Sequence, residues 1–163
     1  ISAAHGEYWF KMDIHDRYGD RFVSDIMLHL SARDADVVGK PPRYYTFAGE
    51  PLIYDGAPAN TPELCVLSAE ELGRGKICLN GNSLAGKKAV GPHVRFADTL
   101  HATPDTAFAL HLGRNDLEVL ILDPLNLVTV RRPDREDHTL VSETGELKSR
   151  VQPLENLVEG VFI

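Results

Sequence analysis

The chain has 163 residues, of which 43% are hydrophobic and 25% charged, and its formal net charge is −7 at pH 7. These values are typical of one folded domain, so we predict a single domain over residues 1–163, either complete or part of a longer chain. An acidic protein is not attracted to a nucleic-acid backbone or to an anionic membrane surface. No apolar run approaches the about 20 residues that span a bilayer. The chain begins at Ile1 instead of Met, which leaves the cellular compartment open.

The first predicted element is a β-hairpin. Apolar and polar residues alternate over 6–15 and again over 21–30. Gly19 closes the short loop between these runs, and Gly adopts a left-handed backbone conformation without steric cost. The resulting register pairs Phe10 with Ile26 on a buried face.

Shorter elements follow in the middle of the chain. Among turns rich in Gly and Pro, the sequence predicts strands over residues 44–47, 52–54, 76–79 and 94–97. Ser68 and Glu71 have the spacing of a capping box, and Gly73 ends that helix after about one turn. A second short helix is predicted over residues 153–158.

A three-stranded meander is predicted in the second half of the chain, over residues 106–112, 117–122 and 127–131, and a further hairpin around Gly145. The meander register places His111, Glu118 and Arg131 side by side on an exposed face. Short strands with frequent turns predict a mainly β chain, an antiparallel sandwich or barrel built from hairpins and a meander, with one or two short helical turns. The pattern does not choose between sandwich and barrel.

One Gly-rich segment has the frame of a phosphate-binding loop. Residues 81–88 fit the Gly-x4-Gly-Lys pattern. Lys88 stands where that loop needs a hydroxyl to hold Mg²⁺, and Pro92 interrupts the helix that must follow. We therefore predict that this segment binds no nucleotide and that the protein has no cofactor. Cys65 and Cys78 lie in apolar surroundings and are interpreted as buried thiols or, alternatively, as one disulfide.

The histidines suggest a metal site as an alternative. Asp13 and His15 project from the same face of their predicted strand. His93, His101 and His111 lie in one half of the chain, and a β-barrel could bring them together with a carboxylate around a metal ion. The alternative function is therefore a metal-dependent β-barrel enzyme with a His-based site, although surface positions explain each histidine more simply.

Two short runs resemble strand ends of the caspase clan of cysteine proteases. Ala3-Ala4-His5-Gly6-Glu7 resembles the strand end that carries the catalytic His, and Leu79-Asn80-Gly81-Asn82-Ser83 resembles the one that carries the Cys nucleophile. Asn82 stands at the nucleophile's position, and without a thiolate there is no acyl-enzyme chemistry of that type. The resemblance implies an inactive relative.

The favoured functional interpretation is a binding or assembly module without a catalytic centre. Tyr44, Tyr45, Phe47 and Tyr54 concentrate aromatic residues in one short stretch, and Phe162 lies in an apolar C-terminal run. Aromatic residues are enriched in interface cores. We therefore predict that these residues contact a protein partner or a second copy of the chain.

Overall fold

The structure, a computed structural model, describes residues 5–56, 64–73, 79–92, 104–132 and 144–154. These residues form two five-stranded sheets and a few helices, which confirms that the chain is rich in sheet. The strands are β1 (Tyr8–Phe10), β2 (Arg17–Tyr18), β3 (Val37–Gly39), β4 (Tyr44–Phe47), β5 (Tyr54–Asp55), β6 (Cys65–Leu67), β7 (Ala85–Lys87), β8 (Val119–Ile121), β9 (Leu127–Arg131) and β10 (Gln152–Pro153). The α-helices are α1 (Phe22–Arg33), α2 (Ala69–Gly73), α3 (Pro104–Arg114) and α4 (Thr144–Lys148), and short 3-10 helices cover Gly81–Ser83 and Lys88–Val90.

The first sheet has the strand order β1-β7-β3-β8-β6 and is mixed. Strands β3 and β8 are parallel, and β7 is antiparallel to both β1 and β3. Strands β1, β3 and β8 therefore run in the same direction and end on one side of the sheet, which we call the carboxyl edge.

Helices cover both faces of this first sheet. One core cluster joins α1 to the face that carries Val38 and Leu120. The opposite cluster joins α2 and α3 to the face that carries Val37 and Val119. Successive residues of a strand point to opposite faces, so both kinds of position must be apolar here. The continuous apolar runs of β3 and β8 follow from this burial on two sides.

The second sheet has the strand order β10-β5-β4-β9-β2, and in it β4 and β9 are parallel. The prediction of purely antiparallel sheets is wrong, because each sheet contains one parallel pair. Within the described part of the chain both sheets have two open edges, so neither closes into the barrel that the sequence left possible.

The predicted hairpin over residues 6–30 is wrong. Strand β1 pairs with β7, far along the chain, and most of the second predicted strand is α1. Phe22, Ile26 and Leu30, spaced four apart, are buried on one side of this helix, whereas Leu28 is 63% exposed. A strand would have buried Leu28 with the other even-numbered residues, and the helical period of 3.6 residues explains its exposure.

The predicted meander is also wrong. Residues 106–112 lie within α3, whose Phe108 and Leu112 are buried four residues apart, and β8 and β9 belong to different sheets. His111, Glu118 and Arg131 therefore do not lie across three adjacent strands. Around Gly145 the chain forms α4 instead of a hairpin turn.

Other predicted elements are confirmed. Strands β4 and β9 have the predicted bounds. Helix α2 begins with the expected capping box, in which Glu71 N donates to Ser68 Oγ (3.3 Å) and Ser68 N donates to Glu71 Oε2 (3.0 Å). The strand predicted over residues 94–97 and most of that over 76–79 lie outside the described residues. Among the described helices, none is long and apolar enough to cross a membrane.

Candidate ligand-binding site

The carboxyl edge gathers polar residues from several parts of the chain. The segment after β1 carries Asp13, His15 and Asp16, β3 is followed by Lys40, and Asp123 follows β8 closely. In open α/β sheets, ligands bind outside the carboxyl ends of the strands, because loops from neighbouring strands converge there. This rule selects the carboxyl edge as the place to look for a site.

Lys40 is the buried cation of this edge. Its side chain has no solvent exposure, and its Nζ lies 2.5 Å from Asp25 Oδ2 and 3.5 Å from Asp123 Oδ1. Nζ also donates to the Asp123 carbonyl oxygen (3.2 Å), and Lys40 N donates to Ser83 Oγ (2.9 Å). The ends of β3 and β8 and the first turn of α1 are thus joined around one ammonium group, which leaves Lys40 with a structural role.

The segment between β1 and β2 is fixed at both ends to the chain that precedes β7. Lys11 N donates to the Leu84 carbonyl oxygen (2.8 Å), and Lys11 Nζ donates to that of Gly81 (2.7 Å). At the other end the Tyr18 hydroxyl accepts from Asp13 N (2.7 Å) and donates to the Asn82 carbonyl oxygen (3.0 Å). Burial raises the pKa of Tyr18, which keeps the hydroxyl proton that this second bond needs.

Asp16 is the half-buried carboxylate of this segment. Its Oδ1 accepts from Val130 N on β9 (2.7 Å), and its Oδ2 accepts from the side-chain amide of Asn82. Desolvation by burial raises the pKa of Asp16, an effect that the hydrogen bonds from Asn82 and Val130 oppose. Asp16 therefore links its segment to both sheets.

Asn82 has a buried acceptor without a donor. The residue is only 8% exposed, and its Nδ2 donates to Asp16 and to Thr129 Oγ1 (3.3 Å). No described residue donates to its Oδ1. A buried acceptor without a donor costs free energy, and an ordered water or a bound molecule is the usual source of the missing donor.

Asp13 and His15 face solvent on the same segment. His15 N donates to Asp13 Oδ1 (3.0 Å), which holds the two side chains in one short turn. The Arg132 guanidinium contacts Nδ1 of the His15 ring. Because a guanidinium can only donate, Nδ1 accepts and the proton of the neutral ring is on Nε2. His15 is then a hydrogen-bond donor next to an arginine, which is a suitable pair for an anion.

A metal site built from protein side chains alone is not present in the described part of the chain, where no group of three or more His, Cys, Asp or Glu residues is placed to hold a metal ion. A cation that takes one or two carboxylates and completes its shell with water and ligand phosphates needs no such group. The exposed Asp13 can supply one such carboxylate. The sequence drew attention to Asp13 and His15 but gave no reason to consider Asp16, whose partners are 66 and 114 residues away.

The histidines proposed for a metal site are only partly described. His93 and His101 lie outside the described residues. His111 is half-buried on α3, near its end, and its carbonyl oxygen accepts from the side-chain amide of Asn115 (2.8 Å). The three-histidine metal site stays a prediction.

The aromatic residues predicted at an interface lie mostly inside the chain. Tyr45, Phe47 and Tyr54 are buried in one small core cluster, and Tyr44 is half-buried. Phe162 lies outside the described residues. Their part in a protein interface stays a prediction, and the buried rings need no partner to explain them.

The structure also describes most residues of the protease-like runs and of the phosphate-loop pattern, and one residue of the cysteine pair. His5 is exposed and Asn82 is buried, and the inactive-protease hypothesis stays untested. Residues 81–88 form a 3-10 helix, strand β7 and the start of a second 3-10 helix. Lys87 pairs with the Asp34 carboxylate, which accounts for the lysine of the phosphate-loop pattern. Cys65 is half-buried in β6, Cys78 lies outside the described residues, and the pairing of the two stays open.

Comparison with known proteins adds no assignment. No model of a known protein family matches the chain, and no curated protein matches it. The function is therefore inferred from the geometry of the carboxyl edge.

Proposed function

We propose that this protein is a metal-dependent enzyme that binds a phosphate-bearing small molecule, such as a nucleotide, at the carboxyl edge. The observation that carries the proposal is the segment after β1, which presents Asp13 for a cation and His15 with Arg132 for an anion at the edge where three co-directional strands end. This assignment replaces the three-histidine barrel site with a site on an open sheet between helices. It also requires a divalent cation, which the sequence suggested only for the alternative histidine site.

The two charges of the site have complementary roles. Mg²⁺ and Mn²⁺ prefer oxygen ligands, and they are commonly held by one or two carboxylates together with substrate phosphates. Arg132 offers a planar set of donors that matches phosphate oxygens, and His15 adds its Nε2 proton. A cation and a guanidinium at one phosphate stabilise the negative charge that develops on its oxygens in the transition state.

Thermal unfolding with Mn²⁺ and nucleoside diphosphates tests this proposal. A ligand at a hundredfold excess over its dissociation constant adds about 2.7 kcal/mol to the free energy of unfolding. For a chain of this size that gain raises the melting temperature by roughly 5–10 °C. We expect the shift to require both Mn²⁺ and the diphosphate.

Two matched variants locate the effect. Asp13→Asn removes the carboxylate that we assign to the cation and should abolish the shift, whereas Asp20→Asn changes another exposed acid shortly after the same segment and should keep it. Arg132→Gln should weaken diphosphate binding and leave binding of Mn²⁺ alone unchanged. A shift of equal size in wild type and Asp13→Asn, or none with any nucleoside diphosphate, contradicts the proposal.

The module that acts through protein contacts is a second candidate. Its support is the exposed apolar side chains on the segment between β1 and β2 and on α1: Ile14 is 91% exposed, Leu28 63% and Met12 44%. Sedimentation analysis of wild type and Ile14→Ser distinguishes the two functions. A dimer that Ile14→Ser dissociates, together with no ligand-dependent shift, favours the module.

A further inference from the structure

Asp13 and Asp16, the two acids on the segment between β1 and β2, differ in what surrounds them. Asp13 is exposed, and within the described residues only its Oδ1 accepts a hydrogen bond, from His15 N. Asp16 is half-buried, and both of its oxygens already accept from protein donors, Val130 N and the Asn82 amide. A carboxylate oxygen that points at fixed donors is poorly placed to face a cation in solvent.

Asn82 holds the same segment at a second point. Its side-chain amide donates to Asp16, and its carbonyl oxygen accepts from the Tyr18 hydroxyl, which in turn accepts from Asp13 N. Asn82, a buried residue on the 3-10 helix before β7, thus fixes both the side chain of Asp16, which faces the protein, and the backbone of Asp13, which faces solvent. The distance from Asp13 to the sheet is set through Asn82.

We propose that Asp16 is a positioning residue and not a ligand of the cation, and that Asp16 and Asn82 together hold Asp13 and His15 in the arrangement that receives cation and phosphate. This inference rests on the proposed function. It predicts that binding of the cation and the phosphate depends on the hydrogen bonds of Asp16 and not on its charge.

The unpartnered Oδ1 of Asn82 allows a sharp test of that distinction. In Asp16→Asn the new amide oxygen can accept from Val130 N, and the new amide nitrogen faces Asn82. A half-turn of the Asn82 side-chain amide then brings its Oδ1 to this donor and within reach of the Thr129 hydroxyl, which can donate to it. The variant therefore keeps the link between the segment and the sheet and loses the negative charge.

Calorimetric titration of the whole chain with Mn²⁺ in the presence of inorganic pyrophosphate measures the effect on the site. We expect Asp16→Asn to bind within about threefold of wild type, whereas Asp16→Ala and Asn82→Ala should weaken binding by about 10–100-fold, as is usual when a group that orients a metal ligand is removed. The double variant Asp16→Ala/Asn82→Ala should be no weaker than the poorer single variant, because both changes break one link. Asp16→Asn binding as poorly as Asp13→Asn would make Asp16 a ligand and overturn the inference.

Hydrogen exchange gives a readout that does not need the ligand. The amides of Asp13 and His15 should exchange faster in Asp16→Ala and Asn82→Ala, and at the wild-type rate in Asp16→Asn, in samples whose circular dichroism is unchanged. Unchanged exchange in both alanine variants overturns the positioning role. If wild type binds neither Mn²⁺ nor pyrophosphate while the exchange pattern is as expected, the proposed function fails and the positioning of the segment stands.

Discussion

Replacing Lys40 with Met tests whether the carboxyl edge depends on its buried ammonium group. The substitution keeps a long side chain in a site without solvent exposure and removes the charge that faces Asp25 at 2.5 Å and Asp123 at 3.5 Å. Two carboxylates then face each other without a cation between them. Removing one partner of a buried ion pair usually costs about 3–5 kcal/mol.

The lower end of that range is expected here. The side chains of Asp25 and Asp123 keep 22% and 28% of their exposure, so water can stabilise part of the charge that Lys40 leaves behind. We therefore expect Lys40→Met to lower the free energy of unfolding by about 3 kcal/mol. With a urea dependence of about 2 kcal/mol per molar, the unfolding midpoint falls by roughly 1.5 M.

Urea unfolding followed by circular dichroism measures the change, and Lys87→Met is the control. Lys87 lies on the neighbouring strand β7 and pairs with Asp34, whose side chain is 95% exposed, so its loss should hardly move the midpoint. Adding Asp25→Asn to Lys40→Met should recover part of the loss, because one uncompensated carboxylate disappears. Equal midpoints for the two Met variants would refute the reasoning.

Two further predictions concern packing and pH. Gly86→Ala should lower the free energy of unfolding by about 1–3 kcal/mol, because a Cβ there would lie 2.8 Å from the Asp36 carbonyl oxygen and 3.0 Å from the Trp9 ring. Urea unfolding measures this loss. Gly145→Ala is the control and should not lower the free energy of unfolding, because a Cβ there would meet no atom within 4 Å. Burial raises the pKa of Asp16 above its ordinary value of 3.8, so its ionised form destabilises the fold above the raised pKa and has no effect below 3.8. Asp16→Asn should therefore raise the melting temperature at pH 7, and the gain should vanish as the pH falls to about 3.8 in thermal unfolding. A gain that grows on acidification would contradict the assigned cause.

The sequence predicted those elements whose signals are local. Strands β4 and β9 are recognisable from apolar runs between turns, and Ser68 and Glu71 identify the start of α2 by their spacing alone. Helix α1 was missed because residues 21–30 satisfy two periods at once: alternate residues suit a strand, while Phe22, Ile26 and Leu30 suit one face of a helix. The exposure of Leu28 decides between strand and helix, and it is known only from the folded structure.

The candidate site was predicted only in part for a related reason. Asp13 and His15 attract attention because both are ligand types two residues apart. Asp16 and Asn82 have no such pattern, and their roles come from a hydrogen bond between residues 66 positions apart. The sequence pattern paired β1, the strand before this segment, with the nearest alternating run, whereas its actual partner β7 comes after five other strands in the chain.

The pairing of distant strands also sets the order in which the protein can assemble. Strand β1 pairs with β7, and the parallel partners of β3 and β4 are β8 and β9, each across about 75–85 residues of chain. During synthesis the first sheet is complete only after β8 has left the ribosome and the second only after β10, so the emerging chain carries strands that still lack one of their partners. Long-range pairing of this kind slows folding and exposes strand edges to other chains. Refolding from urea should therefore be slow for a domain of this size, and its yield should fall as protein concentration rises.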